Sequence, residues 1–301
     1  MAGHRIACPV ASGKATLSPG VKGRLERLCK RAGSGKADSG DRIRIASGAE
    51  GIERMEARFH GQAFSLHRHD TYAIGITLSG IQTFHFRGER WHCLPGQCHI
   101  LHPDEMHDGG AGTDEGFSYR MVYIDPRLVQ EALGDTPLPF VGQPVVDAAR
   151  LPEGCASEIW DIDESMDDVT RVGLVVAVVN LLVGVSSDGM KESGLLALGR
   201  LSLVRDIIAA SPAERHSVEE LERLSGLDRW TLARQFRAAF GTSPSRFRTM
   251  RQLDHVRRSL RRGMSLADAA IEGGFADQSH MSRRFKSAYG LTPGDWISAV
   301  V

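Results

Sequence analysis

Two stretches decide the architecture: Ser217-Val-Glu-Glu-Leu-Glu-Arg-Leu-Ser-Gly-Leu-Asp-Arg-Trp-Thr-Leu-Ala-Arg-Gln-Phe236 and Ser265-Leu-Ala-Asp-Ala-Ala-Ile-Glu-Gly-Gly-Phe-Ala-Asp-Gln-Ser-His-Met-Ser-Arg-Arg-Phe285. They are copies of one unit. Ser217 pairs with Ser265 and Gly226 with Gly274, an offset of 48. Beyond the turn the offset is 49, matching Asp228 to Asp277, Arg234 to Arg283, Phe236 to Phe285, Phe240-Gly241 to Tyr289-Gly290 and Pro244 to Pro293. The extra residue falls at Ala276, in a turn, where an insertion costs least. Each copy reads as helix, glycine turn, helix. Ser217 with Glu220, and Ser265 with Asp268, open the first helix in capping-box fashion. Gly226 and Gly274 stand where a chain leaving a helix needs a left-handed residue, and Asp228 and Asp277 can cap the second helix.

In that second helix Leu232, Phe236 and Phe240, then Met281, Phe285 and Tyr289, recur every four residues and form a buried stripe. The opposite face carries Arg229, Trp230, Ala233, Arg234 and Arg237 in the first copy, and Gln278, Ser279, His280, Ser282 and Arg283 in the second. Such side chains donate to base edges or touch thymine methyls, as DNA reading requires. Between the copies, Ser243-Pro244 to Arg262 begins with an N-cap and a proline at the first helical position. Some 20 residues at about 1.5 Å each span roughly 30 Å, close to the one-turn spacing of about 34 Å between major-groove faces on one side of DNA.

Charge agrees. The chain is neutral overall, 37 basic against 37 acidic residues, but from Arg200 to Val301 the count is 17 against 11. A basic end on an acidic body is expected where one end meets phosphates. All but Lys286 of those cations are arginine, whose planar fork bridges two acceptors.

Working back toward the amino terminus, Ala156 to Ala210 is helical in period. Its most apolar run, Val172 to Val185, is shorter than the roughly 20 residues a bilayer requires and is expected to be a buried or dimer-interface helix. From Ile52 to Asp125 short alternating runs (Ala73–Ser79, Thr83–Phe86, Cys98–His102, Tyr119–Tyr123) are broken by glycine, the pattern of a sandwich or barrel. Residues 1–48, rich in Gly, Ser, Lys and Arg, read as a mobile arm with a short helix at Val21–Lys30. The expected order is therefore an arm (1–48), a β-barrel (49–150), a helical connector or dimerisation segment (151–199) and a paired helix-turn-helix domain (200–301), an α+β multidomain chain. Five scattered cysteines, Cys8, Cys29, Cys93, Cys98 and Cys155, argue against a disulfide framework and, with no signal-like start, for the cytoplasm.

Residues 200–301 resemble the paired helix-turn-helix domain of the AraC/XylS regulators. The match is carried by Trp230-Thr-Leu-Ala-Arg-Gln-Phe, Arg251-x-Leu253, Gly274-Phe275 through Phe285, and Gly290-Leu-Thr-Pro293. Met281 departs from the aromatic usual there, but fills the same core space. The resemblance implies that Trp230 and Arg234 read one groove and Gln278, Ser279 and Arg283 the next. It also implies a homodimer that engages double-stranded DNA and RNA polymerase, and it tilts toward activation.

The β-region is similar to the cupin barrels. Gly61, His67, His69 and Gly80 match one signature, with Ala73 or Ile74 where its glutamate belongs; Gly96 and His107 match another, with His102 and Asp104 replacing its Pro and Gly. The run around His67-Arg-His-Asp70 also looks like the effector-binding half of the same regulators. Residues two apart on a strand share a face, so His67 and His69 can converge with His107 on a divalent metal or, with Tyr72 and Tyr123, line an effector pocket. A second cluster of His92, Cys93, Cys98 and His99 is disfavoured because alternation scatters it to both faces. The expected protein is thus a non-enzymatic, effector-controlled transcription regulator. A metal-dependent, dioxygenase-like cupin enzyme fused to a DNA-binding domain, and a DNA-binding structural protein with a filled barrel, are the alternatives.

Overall fold

The computed structural model describes residues 41–47, 49–147, 150, 162–163, 165–186 and 196–299. The expected arm up to residue 40, its short helix and parts of the connector lie outside these residues. Two antiparallel sheets face each other. The larger has strand order β1-β2-β9-β4-β7-β10, with β1 at Arg42–Ser47, β2 at Ile52–Phe59, β4 at Tyr72–Gly80, β7 at Gln97–Leu101, β9 at Phe117–Ile124 and β10 at Val145–Asp147. The smaller has order β3-β8-β5-β6, with β3 at Gln62–His67, β5 at Gln82–Phe86, β6 at Glu89–Cys93 and β8 at His107–Ala111. The four strands expected from alternation all form, each within two residues of its expected ends. One correction concerns β1, which lies inside the stretch read as an arm. It is an edge strand whose Arg42 and Arg44 hide the Ile43–Ile45 alternation in a polar composition; Ile45 is buried.

Strict alternation splits the larger sheet into two faces. Tyr72, Ile74, Ile76, Cys98, Ile100, Val122 and Ile124 point outward and are covered by α1 (Pro126–Leu133) and α2 (Asp168–Val185). Tyr119 and Met121 point inward, where Phe59, Phe84, Phe86 and Phe117 fill the barrel. The α2 helix is long and apolar enough to cross a membrane by length and composition. One side of it, Leu174, Val178, Leu181 and Leu182, packs on the sheet, while Val169, Val172, Val176 and Val183 face outward.

The carboxyl-terminal helices are α3 (Leu198–Ala210), α4 (Val218–Ser225), α5 (Arg229–Phe240), α6 (Pro244–Arg261), α7 (Leu266–Glu272), α8 (Gln278–Tyr289) and α9 (Pro293–Ala299). Every expected cap forms. Ser217 accepts from Glu220 N–H, Ser265 from Asp268 N–H, Asp228 from Trp230 and Thr231 N–H, Asp277 from His280 N–H and Ser243 from Arg246 N–H. Gly226 and Gly274 take φ of 63° and 75°.

The two units are cored differently. Leu232, Phe236 and Phe240 of the first pack with α3 and Phe247 in a cluster of their own. Met281, Phe285 and Trp296 of the second belong to the same apolar cluster as the barrel interior. The second unit is therefore bonded to the barrel through a shared core. Phe285→Ala is expected to cost about 3–5 kcal/mol and, through that shared core, to destabilise barrel and second unit together. Phe236→Ala should weaken the first unit and leave Trp296 emission unchanged. Urea titrations followed by tryptophan fluorescence and by far-UV circular dichroism check both.

Candidate functional site

The two helix faces expected to meet DNA are largely exposed. On α5 the side chains of Arg229, Trp230, Ala233, Arg234 and Arg237 are all exposed, Trp230 to 77%. On α8, Gln278, Ser279 and Arg283 are exposed, while His280 and Ser282 are half-buried. The arginines are not equally free. Arg229 is held by Glu222 and Glu219 of α4, and Arg237 by Asp104 of the barrel at 3.1 Å. Among the described residues neither Arg234 nor Arg283 is paired with a carboxylate.

The seam between barrel and helices is built from arginines of α5 and α6 set against barrel carboxylates. Arg251 lies 2.6 Å from Asp70 and 3.0 Å from Asp254. Burial alone would lower its pKa, but Asp254, Asp70 and Asp125 outweigh that and hold the guanidinium charged. Burial pushes Asp70 up to about 6 against the pull of Arg251. Arg257 pairs with Glu53 and stacks over Tyr289 and Trp296 at 5.0 and 4.7 Å. Arg246 donates to the Arg68 carbonyl at 2.6 Å and lies 3.4 Å from Asp104. Asp104 adopts φ 61°, the left-handed conformation glycine would favour. That explains how it occupies the place of the cupin glycine, and its carboxylate thereby turns toward Arg68, Arg237 and Arg246.

A cavity of about 540 Å³ opens along this seam at the mouth of the barrel. His69 and Tyr123 of the expected pocket line it, as do Asp70, Arg251 and Trp296. Tyr72 is corrected: it sits on the outer face of β4, its hydroxyl donating to the Pro139 carbonyl, because alternation places it with Ile74 rather than Ala73. Phe84, Phe86 and Tyr119 fill the core, while Tyr123 reaches the cavity.

His67, His69 and His107 do converge, with one ligand nitrogen each, all within 4.8 Å of one another. Their rings pack edge to face, His107 lying 4.3 Å from His67 and 4.8 Å from His69 between centroids. Each Nδ1 faces a nearby backbone carbonyl: Ser65 at 2.7 Å, Thr71 at 2.9 Å and Glu105 at 2.9 Å. A carbonyl only accepts, so Nδ1 carries the proton and Nε2 keeps its lone pair. A carbonyl held against one ring nitrogen fixes the tautomer and the ring orientation, and metal-bound histidines are commonly held in the same way. Burial lowers His67 to about 4 and His69 to about 3, and drives His107 well below its ordinary value, so all three are neutral at pH 7. Cys93 and Cys98 are buried, are not joined in a disulfide and form no such group with His92 and His99 among the described residues.

Residue chemistry alone did not single out Glu53, Asp70 or Asp104 as anchors of the seam. The available signal was Asp104 standing in a glycine position and Arg251 belonging to the Arg251-x-Leu253 motif of the connecting helix.

Comparison with known proteins gives the following. Residues 51–159 match the AraC-like ligand binding domain and residues 221–299 a helix-turn-helix domain. An uncharacterized HTH-type transcriptional regulator of Bacillus subtilis is 25% identical over 231 residues, covering 74% of this chain and 84% of the relative. The HTH-type transcriptional activator RhaS of Yersinia pestis is 26% identical over 254 residues, covering 80% and 92%. ToxT of Vibrio cholerae shares the fold, with a TM-score of 0.57 at 12% identity over 86% of this chain and 97% of ToxT. A ToxT structure with bound unsaturated fatty acid gives 0.54 at 13% identity, covering 85% and 94%.

Truncating Arg251 removes the guanidinium that Asp70, Asp125 and Asp254 share and, among the described residues, leaves Asp254 only Arg257, at 3.8 Å. Arg251→Met should therefore cost about 3–5 kcal/mol, Asp70→Asn much less, and the double variant should recover part of the loss. Equilibrium denaturation of the three proteins measures the difference.

Proposed function

Because this chain is an AraC-family transcriptional regulator, carrying a ligand-binding domain ahead of a helix-turn-helix DNA-binding domain, we propose that it reads two successive major-groove faces with α5 and α8 under control of a small effector held at the barrel mouth. The observation that carries this is the exposure of both reading faces while the barrel and the helices enclose a cavity between them. Arg229, Trp230, Ala233, Arg234 and Arg237 enter one groove. Gln278, Ser279, His280, Ser282 and Arg283 enter the next. Arg234 supplies a bidentate guanine contact, and Arg229 and Arg237 exchange their carboxylates for phosphates.

Six arginines and six carboxylates line the cavity. An apolar chain placed against them would leave charges desolvated, so the effector is a polar or zwitterionic small molecule, unlike the fatty acid named for the ToxT structure. It binds and is released rather than transformed, and it acts by favouring one arrangement of barrel and helices over another.

The domain limits follow the folded elements, with the barrel beginning at β1, the connector running to about residue 197 and the DNA domain starting at α3. The outward valines of α2 support a homodimer, in which a second copy covers Val169, Val172, Val176 and Val183. The likeness to RhaS, named an activator, supports activation, with RNA polymerase as partner and the cytoplasm as the place of action. The neutral, carbonyl-oriented imidazoles of His67, His69 and His107 support a divalent ion of the zinc class at that cluster.

Selection of bound sequences from a randomised duplex pool tests the reading. Two conserved blocks about ten base pairs apart are expected; a single block would remove one reading head. Arg234→Ala should then cost on the order of 1–3 kcal/mol and relax one base position, while an equal loss on all sequences would reduce Arg234 to a phosphate contact. Val172→Glu with Val176→Glu should convert a dimer to a monomer in sedimentation velocity without loss of helix content.

A further inference from the structure

The barrel touches the two reading heads at equivalent points of their repeat. Gly241 and Gly290, paired by the internal repeat, cap α5 and α8 with φ of 73° and 71°. A Cβ on Gly241 would come within 2.6 Å of Pro103, and one on Gly290 within 3.0 Å of both Phe64 and His67. The α5 cap thus ends against the loop after β7 and the α8 cap against the end of β3, each with little room for a side chain. The loop after β3 also donates its Arg68 N–H to the Ser287 carbonyl of α8 at 3.1 Å. The loop after β7 holds Arg237 of α5 through Asp104. The two loops are joined to each other by Asp104 N–H donating to the His69 carbonyl at 2.7 Å.

His67 and His69 lie at the first loop, next to the α8 contact. His107 closes the second loop, three residues beyond the Asp104 that grips α5. One ion bound to all three imidazoles therefore crosslinks the loop that seats α8 to the loop that seats α5. The ligand nitrogens spread to as much as 4.8 Å. Tetrahedral zinc, with bonds of about 2.0–2.1 Å, holds neighbouring ligands roughly 3.3–3.5 Å apart. Loading must draw the loops together, and each loop abuts a helix cap too closely to move alone.

Resting on the metal reading given above, we infer that the His67/His69/His107 cluster is a divalent-metal staple that sets the placement of the two recognition helices relative to each other. Metal occupancy then decides which separation of the two DNA blocks the protein accepts. The coupling is reciprocal, so the preferred DNA tightens the ion by the same factor as the ion tightens that DNA.

The test uses the full-length chain stripped of metal and titrated with Co²⁺ and Zn²⁺. Binding is followed by calorimetry and by the visible spectrum of Co²⁺, and its consequence by hydrogen exchange. One ion per chain is expected, lost in His107→Ala, with exchange slowed at least severalfold at both caps, residues 238–241 and 286–291. Pro103→Gly should keep the ion and the protection at 286–291 while losing it at 238–241. In the randomised duplex pool the loaded and stripped proteins should enrich different spacers. Failure of either metal to bind the wild-type chain overturns the metal reading and this inference with it. Binding that leaves exchange at both caps unchanged overturns the staple alone and leaves the metal reading standing.

Discussion

Arg251 sits where the molecule is joined. It is fixed on the connecting helix α6, which carries both helix-turn-helix units, and it reaches into a ring of carboxylates from barrel and helix. A guanidinium drawn this far out of water needs anions beside it, so the position of α6 on the barrel is set by where Asp70 and Asp125 stand. Arg246, Arg257 and Arg261 repeat the arrangement along the same helix with Asp104 and Glu53. The polar seam specifies the register of docking, and the apolar core behind it supplies the adhesion.

That core is shared unequally. The second unit merges with the barrel interior, whereas the first keeps its own cluster with α3. The two units are thus differently attached, one continuous with the barrel and one held to it by the Pro103–Asp104 loop and by Leu138, whose N–H donates to the Ala238 carbonyl. A change in the seam is free to alter the angle between the reading heads, because their attachments differ.

The helix-turn-helix pair was legible down to individual caps, because caps, glycine turns and four-residue apolar spacing are local. The four strands read from alternation were legible to within two residues for the same reason, with period two replacing period 3.6. Local reading fails at β1, whose edge arginines mask the alternation, and at Tyr72, whose face depends on which neighbour the strand packs against. The three histidines were identifiable as a converging group from the His-x-His spacing and the later His107, although nothing local showed that they lie against the DNA-binding half.

The sequence by itself determined the two helix-turn-helix units, the β-barrel with its histidines and the basic carboxyl-terminal third, since each follows from residues a few positions apart. The tertiary structure alone decided that Arg237 faces Asp104, 133 residues away, and that Arg251 faces Asp70, 181 residues away. It also decided that the cavity opens between domains rather than within a filled barrel. Those pairings join segments with no local periodicity in common. They form because docking two folded surfaces leaves each buried charge one place where an opposite charge can satisfy it.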